Sequence, residues 1–332
     1  MLKHMASFAL STLFMLAAGT ASAQEQRLTI IVGFSTGGVY DSTARLISRH
    51  MGRHMAGKPT IVVQNMPGSG SMVAANYLYN VAARDGSVLG VINGALVFEP
   101  LFRNAAAKYD PRLFSWIGGR SVETALCVAW HNSKLNSIKD AILREVVIGS
   151  IGPGSRTYNH PKVLNELIGT KFKIINGYPG GAEITLAMER GEIDGWCGWA
   201  WGAIKSRSLD WVKDNKMTLL VQTGIQRLGD LPDVPFAMDL VADSRDKDIM
   251  EVLFTDTQLA WPLVGTPGLS AEKLSTLRRA FMDAMKDPAL IKDADSQQLE
   301  IAPVDGTAMQ ESVEKMFRLS PEMVSRAKNI IK

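Results

Sequence analysis

The residues most ready to do chemistry in this 332-residue chain lie in Gly33-Phe34-Ser35-Thr36-Gly37, a literal GxSxG between an apolar run and a helix start. In serine hydrolases this pattern is a strained strand-to-helix turn that exposes the serine hydroxyl. Ser35 as a nucleophile then needs an acid and a histidine downstream, and His131 and His160 are available. Neither stands in a supporting motif. The elbow would also fall on the first strand of the chain, whereas hydrolases place several strands before it. Ser35 is better read as a hydrogen-bond donor.

The same stretch offers non-covalent chemistry. Leu28 to Phe34 reads as a buried strand, a Ser-Thr-Gly-Gly turn follows, and a helix opens near Val39–Asp41. This order aims a helix N-terminus, with its unpaired N–H groups and partial positive charge, at a carboxylate or phosphate. The plan recurs in Val146–Ser155, VVIGSIGPGS, where Gly149, Gly152 and Gly154 let backbone amides approach an anion and Ser150 and Ser155 add hydroxyls. It recurs again in Asn176–Glu183 with Gly180 and Gly181. One such turn is ordinary in an α/β protein; three feeding one cleft point to anion binding.

Other chemistries fit less well. Gly68-Ser69-Gly70 lacks the third glycine of the dinucleotide fingerprint, and no GxxxxGK[ST] occurs. His50 and His54 are four apart on the first helix but lack the HExxH arrangement, so a solvated face is expected and no metal. Trp196, Trp199 and Trp201 crowd one strand end, where they either pack in the core or line the cleft. Cys127 and Cys197 are the two cysteines; each sits in an apolar stretch, and pairing or two buried thiols are both open. A formal net charge of +3 with scattered basic residues excludes a nucleic-acid surface.

The elements that must position these groups alternate strand and helix. Thr60–Val63 and Val88–Ile92 follow the first strand with helices between, a βαβαβ unit that implies parallel strands. Leu113–Trp130 is a long apolar segment able to pass into a second domain. There, strands are expected at Val146–Ser150, Lys171–Ile175, Ile193–Cys197 and Met217–Val221, with a helix over Gly202–Asp214; a further strand is expected at Gln258–Val264. The C-terminal part is helical, with Ser270 as a cap and Pro321 in a first turn. The fold class is α/β with two lobes: residues 24–122 plus 256–332, and residues 123–255. Residues 1–23 read as a signal peptide: Lys3, an apolar run from Met5 to Ala18, and Ala21-Ser22-Ala23 as the cleavage site. The run is too short to anchor the chain in a membrane.

The ordered motifs resemble the substrate-binding proteins of tripartite tricarboxylate transporters, the Bug receptors. Phe34–Asp41 followed by Ala44-Arg45 is similar to the family's PFPPGGxxDxxAR opening, and Asn65–Gly70 to its NRPGAGG loop. Asp85-Gly86, Gly149–Ser155, Tyr178–Gly181 with Gly191–Asp194, and Gln226-Arg227 with Leu231–Pro235 match further motifs in order and spacing. The resemblance implies a two-lobed periplasmic protein of Venus-flytrap (type II) form, which closes on a small carboxylate and hands it to membrane permease subunits. Neither enzyme activity nor a cofactor is implied, and the chain is expected to be a monomer.

Carried over by position, the ligand residues are Phe34, Ser35, Thr36, Gly37, Gly38, Val39, Tyr40 and Asp41, then Ser150, Ile151, Gly152, Gly154 and Ser155. Asn65, Gly68, Ser69, Gly180 and Gly181 would lie nearby, and Arg156 is a candidate second carboxylate partner. Ser35 and Thr36 replace the family's prolines. Trp196 and Trp199 stand where many members carry an acidic residue, which suggests a flatter, aromatic ligand body.

Overall fold

The computed structural model describes residues 27–152, 154–178 and 180–331. The expected signal peptide lies outside these residues, as do Pro153 and Pro179 within two of the glycine turns. The chain builds two sheets. The first consists of β1 Arg27–Val32, β2 Thr60–Asn65, β3 Val88–Val91, β4 Ser115–Gly119, β10 Pro262–Gly265 and β11 Val304–Asp305, in the order β11-β4-β10-β3-β1-β2. The second consists of β5 Ala125–Trp130, β6 Val146–Ser150, β7 Phe172–Asn176, β8 Gly195–Ala200 and β9 Met217–Thr223, in the order β7-β6-β8-β5-β9.

The βαβαβ unit read from the sequence is present: β1 runs parallel to β2 and to β3, with Val32 opposite Asn65 and Val91. Ile30, Ile31 and Val32 are buried, as expected of a strand covered on both faces. Each sheet also holds a strand laid down just after the chain crosses between lobes. β5 lies antiparallel between β8 and β9, and β10 antiparallel between β3 and β4. The two crossings therefore run from β4 to β5 and from β9 to β10. This is the two-lobed α/β architecture that the motifs imply.

Local chemistry shifts several boundaries; the strand expected over Ile193–Cys197 runs over Gly195–Ala200, which puts Trp196 and Trp199 within it. The helix expected over Gly202–Asp214 breaks at Ser208 into Trp201–Arg207 and Leu209–Lys213. The strand expected from Gln258 starts only at Pro262, because Thr255–Thr257 forms a 3-10 turn and Trp261 takes a left-handed φ of 51°. The last helix, Pro321–Ile331, falls in the sequence-drawn first lobe, yet it packs on Arg156–Ile168 and Ser244–Leu253 of the second. Its Lys328 Nζ meanwhile donates to the Phe102 carbonyl of the first lobe.

Cys127 on β5 and Cys197 on β8 form a disulfide across neighbouring strands, which settles the pairing the sequence leaves open. His50 and His54 do not lie on a solvated face. They turn to the C-terminal helices, where His50 Nε2 meets Asp293 Oδ2 at 2.7 Å and His54 Nε2 meets Asp287 Oδ2 at 3.0 Å. Among the described residues no helix is long and apolar enough to cross a membrane.

Candidate functional site

The strand ends of both sheets open onto one cavity of about 530 Å³. Phe34 and Tyr40 after β1, Ser69 and Gly70 after β2, and Asn93–Leu96 after β3 form its first wall. Ile151, Gly152 and Gly154–Thr157 after β6 form the second. Glu123 and Asp256, one on each crossing, close the back together with Leu259–Trp261.

The first wall is shaped from behind. Asp41, 2% exposed in the first turn of helix Val39–His50, accepts from the Gly37 amide, Arg45 Nε and Asn65 Nδ2, each at 2.9 Å. Asn65 also donates to the Phe34 carbonyl at 2.9 Å. Burial pushes the Asp41 carboxyl up, but the bonds from Arg45, Gly37 and Asn65 hold it below the ordinary range. Gly33 can only be glycine here, because a Cβ would overlap the Ser71 side chain that bonds the Asn93 amide. Phe34 stacks on Tyr40 with ring centroids 4.1 Å apart, and Tyr40 tilts toward Trp261 at 4.5 Å. Burial pushes the Tyr40 hydroxyl well up, so it stays protonated.

The second wall is the start of helix Arg156–Ile168. Ser150 and Ser155 hydroxyls converge on Thr157 Oγ1 at 3.1 and 2.8 Å, and Thr157 accepts from the Ile151 amide at 3.0 Å. Gly198, at φ +77°, lets β8 press against this helix start; a Cβ there would stand 2.7 Å from the Arg156 carbonyl.

Arg156 extends toward the crossings. Its Nη1 donates to Glu123 Oε2 at 2.8 Å and its Nε to Asp256 Oδ2 at 3.1 Å. Trp261 Nε1 donates to the other Glu123 oxygen at 2.8 Å, and His160 Nε2 meets Asp256 Oδ1 at 3.3 Å. Burial alone would push Asp256 up, but Arg156 and His160 pull it down to about 2. Burial depresses the His160 ring more than Asp256 raises it, leaving a neutral imidazole that also bonds Thr223 Oγ1 at 2.8 Å.

The structure thus brings together Phe34, Tyr40, Ser69, Ile151, Gly152, Gly154, Ser155 and Arg156 around one cavity. Ser35, Thr36, Gly37 and Gly38 are exposed and Val39 is half-buried, and none of the five lines the cavity although Phe34 and Tyr40 on either side do; Gly68 adjoins Ser69. Asp41, Asn65 and Ser150 stand behind the walls and brace them. Gly180, Gly181, Trp196 and Trp199 are elsewhere: Gly181 abuts the Trp196 ring, and Trp196 stacks on Trp199 at 4.3 Å inside the second lobe's apolar cluster. Both tryptophans are buried in that cluster, and neither is among the residues that line the cavity. Arg156 is committed to two carboxylates rather than free for a ligand. Sequence reasoning missed Glu99, Glu123, Asp256, Trp261 and Asn93–Leu96. Asn93-Gly94, a turn pair at a strand's carboxyl end, was a readable signal; the other four carry none.

No protein-family model matches the chain, and a search of curated proteins finds no match. Solved structures do match. A TctC solute binding protein from Polaromonas, without ligand, is 17% identical over 93% of this chain and 99% of its own, with a TM-score of 0.69. MatC from Rhodopseudomonas palustris with bound malate is 20% identical over 92% and 99%, with a TM-score of 0.62. A second R. palustris protein with adipate is 18% identical over 91% and 97%, with a TM-score of 0.64. The fold is that of the two-lobed periplasmic solute-binding proteins.

Proposed function

We propose that this protein is a periplasmic solute-binding receptor that captures a small organic carboxylate between its lobes and delivers it to the membrane subunits of a tripartite transporter. The observation that carries this reading is the start of helix Arg156–Ile168, whose glycine and hydroxyl-rich turn faces Phe34, Tyr40 and Ser69 across the cavity. A helix N-terminus seats a carboxylate through amides and its macrodipole. Malate and adipate in two structural neighbours support the ligand class, and the N-terminal export pattern supports the compartment.

Binding without turnover is supported by the disposition of the groups a hydrolase would use. Ser35 is exposed and outside the cavity lining, while His160 is fully buried and engaged with Thr223 and Asp256. The ligand set we assign is Phe34, Tyr40, Ser69, Ile151, Gly152, Gly154 and Ser155, with Asp41 and Asn65 as positioning residues.

A thermal-shift screen across aliphatic dicarboxylates, citrate, aromatic acids and amino acids tests the assignment. A bound acid at about 100 times its dissociation constant adds about 2.7 kcal/mol to native stability and raises Tm by several degrees. Silence across all four classes would overturn the carboxylate assignment.

A further inference from the structure

We propose that the ligand is a monocarboxylate that also carries a positively charged nitrogen, an amino acid or betaine rather than a dicarboxylate. The inference rests on the receptor reading above and deepens it.

The charged side chains lining the cavity are Glu99, Glu123, Asp256 and Arg156. Arg156 cannot serve as a free anion clamp, since its Nε and Nη1 are held by Asp256 and Glu123 and its Nη2 faces the Asp256 carbonyl at 3.4 Å. The next cation, Arg120, lies with its guanidinium 5.1 Å from the Trp261 ring and donates to Thr43 Oγ1 and the Glu300 carbonyl. Two guanidinium groups therefore face three carboxylates. Glu99 forms no ion pair among the described residues; its Oε2 accepts from Asn104 Nδ2 at 2.6 Å, and its Oε1 looks toward Gly154 across the cleft.

A dicarboxylate would add two negative charges to a wall already in negative excess, whereas a zwitterion adds none. In a partly desolvated cleft such like-charge contacts are only weakly screened. The aromatic row Phe34, Tyr40 and Trp261 lines the same cavity; Phe34 and Tyr40 turn one face to each other and Arg120 stands over Trp261, so a cationic nitrogen has only the remaining ring faces to meet. The ligand carboxylate then sits at the start of helix Arg156–Ile168, beside Gly154, and its nitrogen toward Glu99. The flat aromatic ligand inferred from Trp196 and Trp199 loses its basis, since neither ring is among the groups that line the cavity.

The test is calorimetric titration with chain-length-matched sets of two to six carbons: each dicarboxylate, the ω-amino acid and its N-trimethyl derivative. At least one zwitterion should bind ten or more times tighter than its matched dicarboxylate. Glu99→Gln should cut that preference by fivefold or more while leaving the far-ultraviolet spectrum unchanged. The primary and N-trimethyl forms separate hydrogen bonding to Glu99 from a ring-face contact. Dicarboxylates binding as tightly or tighter, or an unchanged preference in Glu99→Gln, overturns the proposal and leaves the receptor reading standing. Failure of every compound in the sets to bind overturns this proposal alone, while the receptor reading falls only if the wider thermal-shift screen is silent as well.

Discussion

The two loops that face each other across the cavity are braced in opposite ways. Behind the first-lobe loop, Asp41 gathers Gly37, Arg45 and Asn65, all from the same lobe and at most 24 residues away. Behind the second-lobe loop, Arg156 reaches Glu123 and Asp256, 33 and 100 residues away and on the two crossings. The first loop owes its shape to its own lobe. The second is held by its own Ser150 and Thr157 hydroxyls and, through Arg156, also by the segments that join the lobes, so a change at Arg156 reaches loop and crossings together.

The largest effect that would sharpen this contrast comes from Arg156→Met. It strands Glu123 and Asp256 as buried, unpaired carboxylates, a situation that typically costs about 3–5 kcal/mol. Chemical denaturation should show that loss, together with weakened ligand binding. Asp41→Asn, by comparison, leaves a neutral acceptor for some of the same donors and should cost about 1–3 kcal/mol. Equal losses in the two variants would break the contrast.

Acid should also divide the two sites. The buried His160 ring is held below its ordinary value, so the unfolded chain takes up a proton near pH 6.5 that the folded chain refuses. Stability therefore falls as pH drops below about 6.5. Asp256, at about 2 in the folded state, contributes fully above its unfolded value and loses that contribution as pH falls toward 2. Asp41, also held below its ordinary range, likewise contributes above its unfolded value and loses that contribution as pH falls below it. Tm against pH should thus fall in two stages. His160→Gln should flatten the upper stage; an unaltered upper stage would show that His160 does not cause it.

The smallest effect is expected in the tryptophan cluster. Trp199→Phe should lower Tm through lost packing against Trp196 and Trp211 and leave ligand affinity within about twofold, as for distant independent sites. An affinity loss of tenfold would bring the ring into the cleft.

How much of this was legible in the sequence follows from the range of the interactions. Strand, glycine turn and helix start are set by residues within a dozen positions, so the turns after β1 and β6 and the βαβαβ unit could be read directly. The positions of Trp196 and Trp199 depend on the irregular register between β5 and β8, where Leu126 pairs with Trp199 but Val128 with Trp196; no local pattern reveals that shift. The ion cluster joins Glu123, Arg156 and Asp256 through the fold alone, and each carries an ordinary residue type in an ordinary context. Cys127 and Cys197, 70 residues apart, meet only because β5 inserts beside β8.

The terminal helix Pro321–Ile331 adds a mechanical consequence. Attached to the second lobe along Arg156–Ile168 and Ser244–Leu253, and to the first through Lys328 on Phe102, it acts as a third tether beside the two covalent crossings. Two strands alone form a hinge with a wide arc. A third attachment away from the crossings restrains any movement of one lobe against the other along that edge.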